Sequence, residues 1–173
     1  WRAWYETSRW NNNLETLGEE DSYVFIGTEF AQAMASPSHL YKFHMSEGGL
    51  RVPLIISGKN IPSGKYKGLT FVTDVAPTIV DLASGKKEDQ MIGKSLKAVF
   101  NDFDMDLYNE NDAVGLEVSG NSALFLGDYK IVKNRPPVGD SKWRLFNLKN
   151  DPGETKDLKL TEPEIFKTLI QKY

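Results

Sequence analysis

Tyr41-Lys42-Phe43-His44-Met45-Ser46-Glu47-Gly48-Gly49-Leu50-Arg51-Val52-Pro53-Leu54-Ile55-Ile56 decides how the chain is read. A polar loop carrying a lysine and a histidine runs into Gly48-Gly49, then into Arg51 and a short apolar run. Val52–Ile56 is fit for a buried strand, and loops beside such strands are where α/β proteins meet ligands. Gly48 and Gly49 let the backbone take positive φ or approach another surface closely, with no Cβ in the way. Lys42 and Arg51 are cations that such a turn can hold against an anion. Spacing alone admits a plainer reading, in which Gly-Gly is an ordinary turn, Lys42 is solvated and Arg51 pairs with Glu47.

Upstream, residues 28–35 read as a helix with Thr28 as N-cap and Ser36-Pro37 as its stop. Before that, Trp1, Trp4, Tyr5 and Trp10 surround Asn11-Asn12-Asn13, a loop signal with at most a short helix. These aromatics either stack on a sugar or aryl group or pack on other parts of a longer protein. The chain opens on Trp1 rather than Met, so an excised piece of such a protein is expected.

Downstream, Asp74 to Ser84 reads as a helix capped by Thr73 or Asp74, with Pro77 in its first turn and Gly85 at its end. Val75, Ile79 and Leu82 fall on one face, which is expected to be buried. Asp74 and Asp81 read as a cap and a surface charge rather than a metal pair. Lys86 to Asn111 is polar and mostly loop. From residue 112 the pattern changes to short β-prone runs: Leu116–Val118, Ala123–Leu126, Tyr129–Val132 and Trp143–Leu148. Turns at Gly120-Asn121 and Gly127-Asp128 and a proline-bearing loop over 134–141 separate them, which predicts an antiparallel meander. Asp151-Pro152-Gly153 suits a type II turn. Thr161 and Glu164 form a potential capping box ahead of a helix with Pro163 in its first turn. Its stripe of Ile165, Phe166, Leu169, Ile170 and Tyr173 needs a surface, and the meander is the one available.

The chain has 173 residues, 40% hydrophobic and 26% charged, which is globular composition with room for one good core. A net charge of -3 gives no footing for nucleic acid, and no apolar run is long enough to cross a bilayer. With no cysteine there are no disulfides and no thiolate metal ligands.

The spacing Lys42, four residues, Glu47-Gly48-Gly49-x-Arg51-Val52-Pro53 resembles the lysine-bearing segment of the sulfatases, within the alkaline-phosphatase superfamily. The likeness continues in order along the chain. Asn13 to Val24, Phe30 to Ala33 and Ser36 to Lys42 resemble the stretch before that lysine in bacterial arylsulfatases. Thr73 to Ala83 resembles the family's next helix. Gly127 to Lys130, Leu145 to Leu148, Asp151 to Thr155 and Asp157-Leu158 resemble its C-terminal end.

The fold implied is α/β in the broad sense (α+β): a partial alkaline-phosphatase-like sulfatase fold. It ends in a small antiparallel sheet of about four strands with a packed C-terminal helix. Residues 1–111 would be the incomplete C-terminal portion of the catalytic domain and 112–173 a sheet subdomain. The resemblance implies that Lys42 contacts the substrate sulfate, with His44 a further candidate for the substrate and Glu47, Gly48, Gly49 and Arg51 fixing the turn. It implies calcium and formylglycine for the whole protein but no cofactor in this chain: the formylglycine motif Cys/Ser-x-Pro-x-Arg is missing, and Ser36-Pro37 lacks its arginine. The partners implied are a sulfate ester and the N-terminal part of the same protein, in bacterial cytoplasm or periplasm, and the chain alone is expected to be inactive. A phosphodiesterase or phosphonate hydrolase of the same superfamily, and a non-catalytic carbohydrate-binding module, are the alternatives. A parallel sheet without its first strands would leave an apolar edge near Val52–Ile56.

Overall fold

The β-prone runs pair in the order of the chain. The structure, a computed structural model, describes residues 10–11, 13–22, 26–83, 85–86 and 89–173. Strands β1 (Val114–Val118), β2 (Asn121–Leu126), β3 (Tyr129–Lys133) and β4 (Arg144–Asn147) form one antiparallel sheet in the order β1-β2-β3-β4. Ser119 and Gly120, at φ 51° and 76°, make the two-residue turn that sets Val118 opposite Asn121. Across Gly127-Asp128 the pairing resumes with Leu126 opposite Tyr129. This is the expected meander; the turn at Gly127-Asp128 falls where expected, while the first lies at Ser119-Gly120 rather than Gly120-Asn121, because Asn121 already pairs in β2.

Every residue of β2 is buried, because the sheet is covered on both faces. On one face Ala123, Phe125, Val132 and Phe146 pack with Met45, and Leu50, Leu69 and Phe71 close over them. On the other, Leu124, Leu126, Ile131 and Leu145 meet the C-terminal helix Pro163–Lys172 through Leu169, Ile165, Phe166 and Ile170. The helical stripe therefore lies on the sheet as its spacing requires, and Tyr173 at its end meets the Trp143 ring edge-on at 4.8 Å.

A third cluster gathers Leu96, Val99 and Leu107 with Ile56, Tyr66, Phe103 and Tyr108. Asp74 organises this polar stretch. Its buried carboxylate accepts the Phe71 N–H at 2.7 Å, the Lys94 N–H at 2.9 Å and the Tyr108 hydroxyl. Thr78 adds a bond from the Leu96 N–H at 2.8 Å. Asp74 is thus a hub rather than only a cap. Asp81 is the surface charge expected of it, paired with Lys97 at 3.0 Å.

Three further helices can be labelled with the C-terminal one: α1 (Gly27–Ala35), α2 (Glu47–Leu50), α3 (Val75–Leu82) and α4 (Pro163–Lys172). Helix α1 starts at Gly27 rather than after a Thr28 cap. Helix α3 inverts the expected burial: Pro77 and Thr78 are buried while Ile79 is 61% exposed, because Asp74 and Thr78 turn the polar face toward the 93–108 loop. Val52–Ile56 is likewise no buried strand. It joins no sheet, so it is not the expected edge of a parallel sheet, although Val52 and Ile55 are 79% and 88% exposed; only Ile56 is drawn into the third cluster. The Thr161 capping box does not form, since the Thr161 hydroxyl bonds back to the Leu158 carbonyl and Glu162 holds the cap position. The 151–154 turn closes with a 3.1 Å bond from the Glu154 N–H to the Asp151 carbonyl. It is not type II, since positive φ falls on Glu154 and not on Gly153. Trp1, Trp4 and Tyr5, read either as a stacking platform or as packing on other parts of a longer protein, lie outside the described residues. Among those described, no helix is long and apolar enough to cross a membrane.

Leu169 is 1% exposed at the centre of the helix–sheet contact. Leu169→Ala is expected to cost about 2–5 kcal/mol, the range for a leucine-sized cavity. Urea denaturation measures it, and a loss under about 0.5 kcal/mol would mean that α4 is not docked as described.

Candidate functional site

The Lys42 loop is held by contact rather than by regular structure. Its backbone runs so near α2 that a Cβ on Gly48 would lie 1.9 Å from the Leu40 carbonyl oxygen, and one on Gly49 would lie 2.2 Å from that of His44. Close approach, not positive φ, is what this glycine pair provides. The Gly48 N–H bonds the His39 carbonyl at 2.8 Å and the His44 N–H bonds that of Tyr41 at 3.1 Å. Leu40 and Phe43 occupy left-handed backbone at φ 59° and 78°, a region that side chains disfavour.

Beneath the loop lies a buried ionic triad. Lys130, on β3, is wholly buried between Phe125 and Phe146, its neighbours in register on the face that α2 covers. Its Nζ lies 2.8 Å from Glu47 Oε1 and 2.8 Å from Glu154 Oε1, with the Phe125 ring centroid 4.9 Å away. Glu154 Oε2 also accepts the Glu47 N–H at 2.9 Å. The expected Glu47–Arg51 pair is not formed: Glu47 turns inward to Lys130, while Arg51 is exposed and contributes only its N–H, to the Glu47 carbonyl at 2.8 Å.

Two buried asparagines reach the loop from the sheet's end. Asn121 Nδ2 donates to the Phe43 carbonyl at 2.7 Å, and its Oδ1 accepts the Arg135 N–H at 2.7 Å. Asn134 Oδ1 accepts the Met45 N–H at 2.9 Å, and its Nδ2 donates to Ser46 Oγ at 3.0 Å.

Lys42 is exposed at the loop's crest, with Nζ 5.2 Å from the Phe43 ring centroid and no carboxylate partner among the described residues. His44 is half-buried, edge-on to the Tyr41 ring at 5.1 Å, and its buried Nδ1 has no hydrogen-bond partner among those residues. Burial, and secondarily the charge of His39, hold His44 below its ordinary 6.5, so the neutral imidazole is favoured. The loop therefore carries Lys42 exposed against Phe43 and His44 half-buried against Tyr41, while Arg51 lies beyond α2. Two shallow hollows, of about 280 Å³ beside Tyr129 and Glu162 and about 430 Å³ along Ile56–Ile61, include none of these three. No three His, Asp or Glu side chains among the described residues converge as metal ligands, and Lys130 engages the carboxylates nearest the loop, so calcium ligands do not fit here. What the arrangement offers is an exposed cation with no carboxylate partner among the described residues, on a loop held from beneath by buried polar contacts.

Lys130, Glu154, Asn121 and Asn134 are absent from the sequence-level set. Lys130 alone carries a signal, since strand alternation puts it in phase with Val132 on a covered face.

Comparison with known proteins gives three findings. The family described as N-sulphoglucosamine sulphohydrolase, C-terminal, matches residues 38–172. An uncharacterized sulfatase of Schizosaccharomyces pombe is 32% identical over 172 residues, covering 93% of this chain and 31% of that protein. The chain thus spans about a third of that relative's length. Among solved structures, Ps i-CgsB aligns with TM-score 0.65 at 24% identity, over 79% of this chain and 31% of its own. A Bacteroides thetaiotaomicron structure, titled for the metabolism of multiple glycosaminoglycans, aligns with TM-score 0.61 at 17% identity, over 75% of this chain and 30% of its own. At these identities the two structures speak to the fold.

Removing Lys130 would strand two carboxylates in the core, so Lys130→Met is expected to destabilise by about 3–5 kcal/mol in chemical denaturation. A neutral outcome would mean that the triad is hydrated rather than buried. For His44 the lowered value means that the unfolded chain binds more protons below about pH 6.5. Its contribution to stability is then full above that pH and declines as pH falls toward the folded value. An imidazole titration by NMR should give a midpoint under 6.5, and a midpoint at or above it would contradict the enclosure of this ring.

Proposed function

Because the chain belongs to the N-sulphoglucosamine sulphohydrolase C-terminal family, we propose that it is the C-terminal part of a sulfatase and supplies that enzyme with a sulfate-contacting lysine. The observation that carries this is Lys42: an exposed cation without a carboxylate partner among the described residues, on a loop fixed from beneath at Phe43, Met45, Ser46 and Glu47.

Hydrolysis of a sulfate ester moves negative charge onto the leaving-group oxygen. An ammonium already in place offsets that charge without reorganising at the moment of reaction. Lysine suits the task as a compact point charge on a flexible stem. His44, two residues along the same loop and held toward its neutral form, would offer hydrogen bonding to a substrate without adding a second charge. Calcium would neutralise the sulfate and formylglycine would supply the nucleophile, neither drawn from this chain's described residues. The sequence holds neither a cysteine nor a Ser-x-Pro-x-Arg motif, so residues 1–173 by themselves are not expected to turn over a sulfate ester.

The partner proposed is the remainder of the same protein. Two observations support this: the chain matches 31% of its yeast relative's length, and Val52, Leu54, Ile55 and Ile79 present apolar surface with no cover among the described residues. An aryl sulfate is the simplest substrate class for a test. In the full-length enzyme, Lys42→Ala is expected to lower kcat/KM for 4-nitrophenyl sulfate by about two orders of magnitude, as for loss of one preorganised electrostatic contact. Undiminished turnover by that variant would remove Lys42 from the reaction.

A further inference from the structure

Phe43 holds a backbone conformation that a phenylalanine does not adopt unaided, and it sits between the two side chains that the proposed function uses. Its φ is 78°, its ring is more than half exposed, and so packing of the ring does not account for the strain. The carbonyl of this residue is the acceptor for Asn121. Strained backbone of this kind persists only where the surroundings over-determine it, and it gathers at functional sites.

The surroundings here are identifiable. Asn121 opens β2 and Asn134 follows β3, so both amides project from neighbouring strand ends of one sheet. One takes the carbonyl on the near side of His44 and the other takes the N–H and hydroxyl on the far side, at Met45 and Ser46. Each amide has its donor and its acceptor side engaged: Asn121 also receives the Arg135 N–H, and Asn134 bonds both Met45 and Ser46. Both residues are less than 9% exposed, so water does not compete freely for these bonds. Two satisfied buried amides, bracketing a strained residue and a histidine, form a clamp on the main chain.

We propose that Asn121 and Asn134 are positioning residues, which hold the loop so that Lys42 and His44 are presented to the substrate anion in one orientation. The inference rests on the Lys42 reading above. Neither asparagine touches substrate; each acts through the backbone of residues 43–46. A clamp of this type lowers the reorganisation needed on binding, and displacement by about 1 Å is enough to cost up to about a hundredfold in rate.

The test is a double-mutant cycle in the full-length enzyme, read by hydrolysis of 4-nitrophenyl sulfate and by competitive inhibition with inorganic sulfate. Asn121→Ala is expected to lower kcat/KM about ten- to a hundredfold and to weaken sulfate inhibition in parallel. In a Lys42→Ala background the same change should cost clearly less than in the parent enzyme, because one of the two side chains through which it acts is gone and only His44 remains. If Lys42→Ala impairs the enzyme and Asn121→Ala does not, the clamp is overturned and the Lys42 reading stands. Effects that multiply fully in the double variant also overturn the clamp, since Asn121 would then act elsewhere. Should Lys42→Ala retain full activity, the Lys42 reading falls, and with it the clamp as stated. Asn134→Ala is the second arm, with the same expected coupling, and decides the matter if Asn121→Ala does not fold.

Discussion

A single ammonium group, that of Lys130, ties the sheet to the loop above it. An isolated lysine cannot be held charged in an apolar core without several kcal/mol of desolvation, and two carboxylates at 2.8 Å are what make its burial tolerable. Those carboxylates come from far apart in the chain, Glu47 at the start of α2 and Glu154 at the end of the 151–154 turn. The charge requirement of one β3 residue therefore fixes three segments at once. Because Glu154 also accepts the Glu47 N–H, α2 is oriented as well as attached. The loop before α2 inherits that placement, and Gly48 and Gly49 allow it to lie directly against the helix.

Much of the fold could be read from the residues in order. Short β-prone runs at Ala123–Leu126 and Tyr129–Val132, punctuated by Gly120 and Gly127, give the meander, since strand pairing and tight turns are local matters. The stripe on α4 was legible for the same reason. Burial of α3 and of Val52–Ile56 was not. Periodicity reports which face is apolar, not whether anything described covers it, and in α3 the polar face won because Asp74 serves three donors.

The candidate site divides along the same line. Lys42, His44 and the glycine pair are contiguous, so a short motif displays them. Glu47 was visible as a charge, but its partner was misassigned to the neighbouring Arg51 because Lys130 lies 83 residues away. Asn121 and Asn134 look like ordinary turn residues, since their targets are 78 and 89 residues back along the chain. Long-range polar contacts of this sort leave no periodic trace. They become visible only when register sets strand ends beside a loop.

The glycine contacts bear on how this loop can change over evolutionary time. At Gly48 and Gly49 the obstruction to any side chain is main-chain carbonyl oxygen, which has no rotamer to yield. Room for change in this loop is thereby left to side chains that point away from its seat, such as Phe43, whose ring is more than half exposed. The seat beneath tolerates no such change, so what the loop carries can differ only where the path of its backbone is left intact.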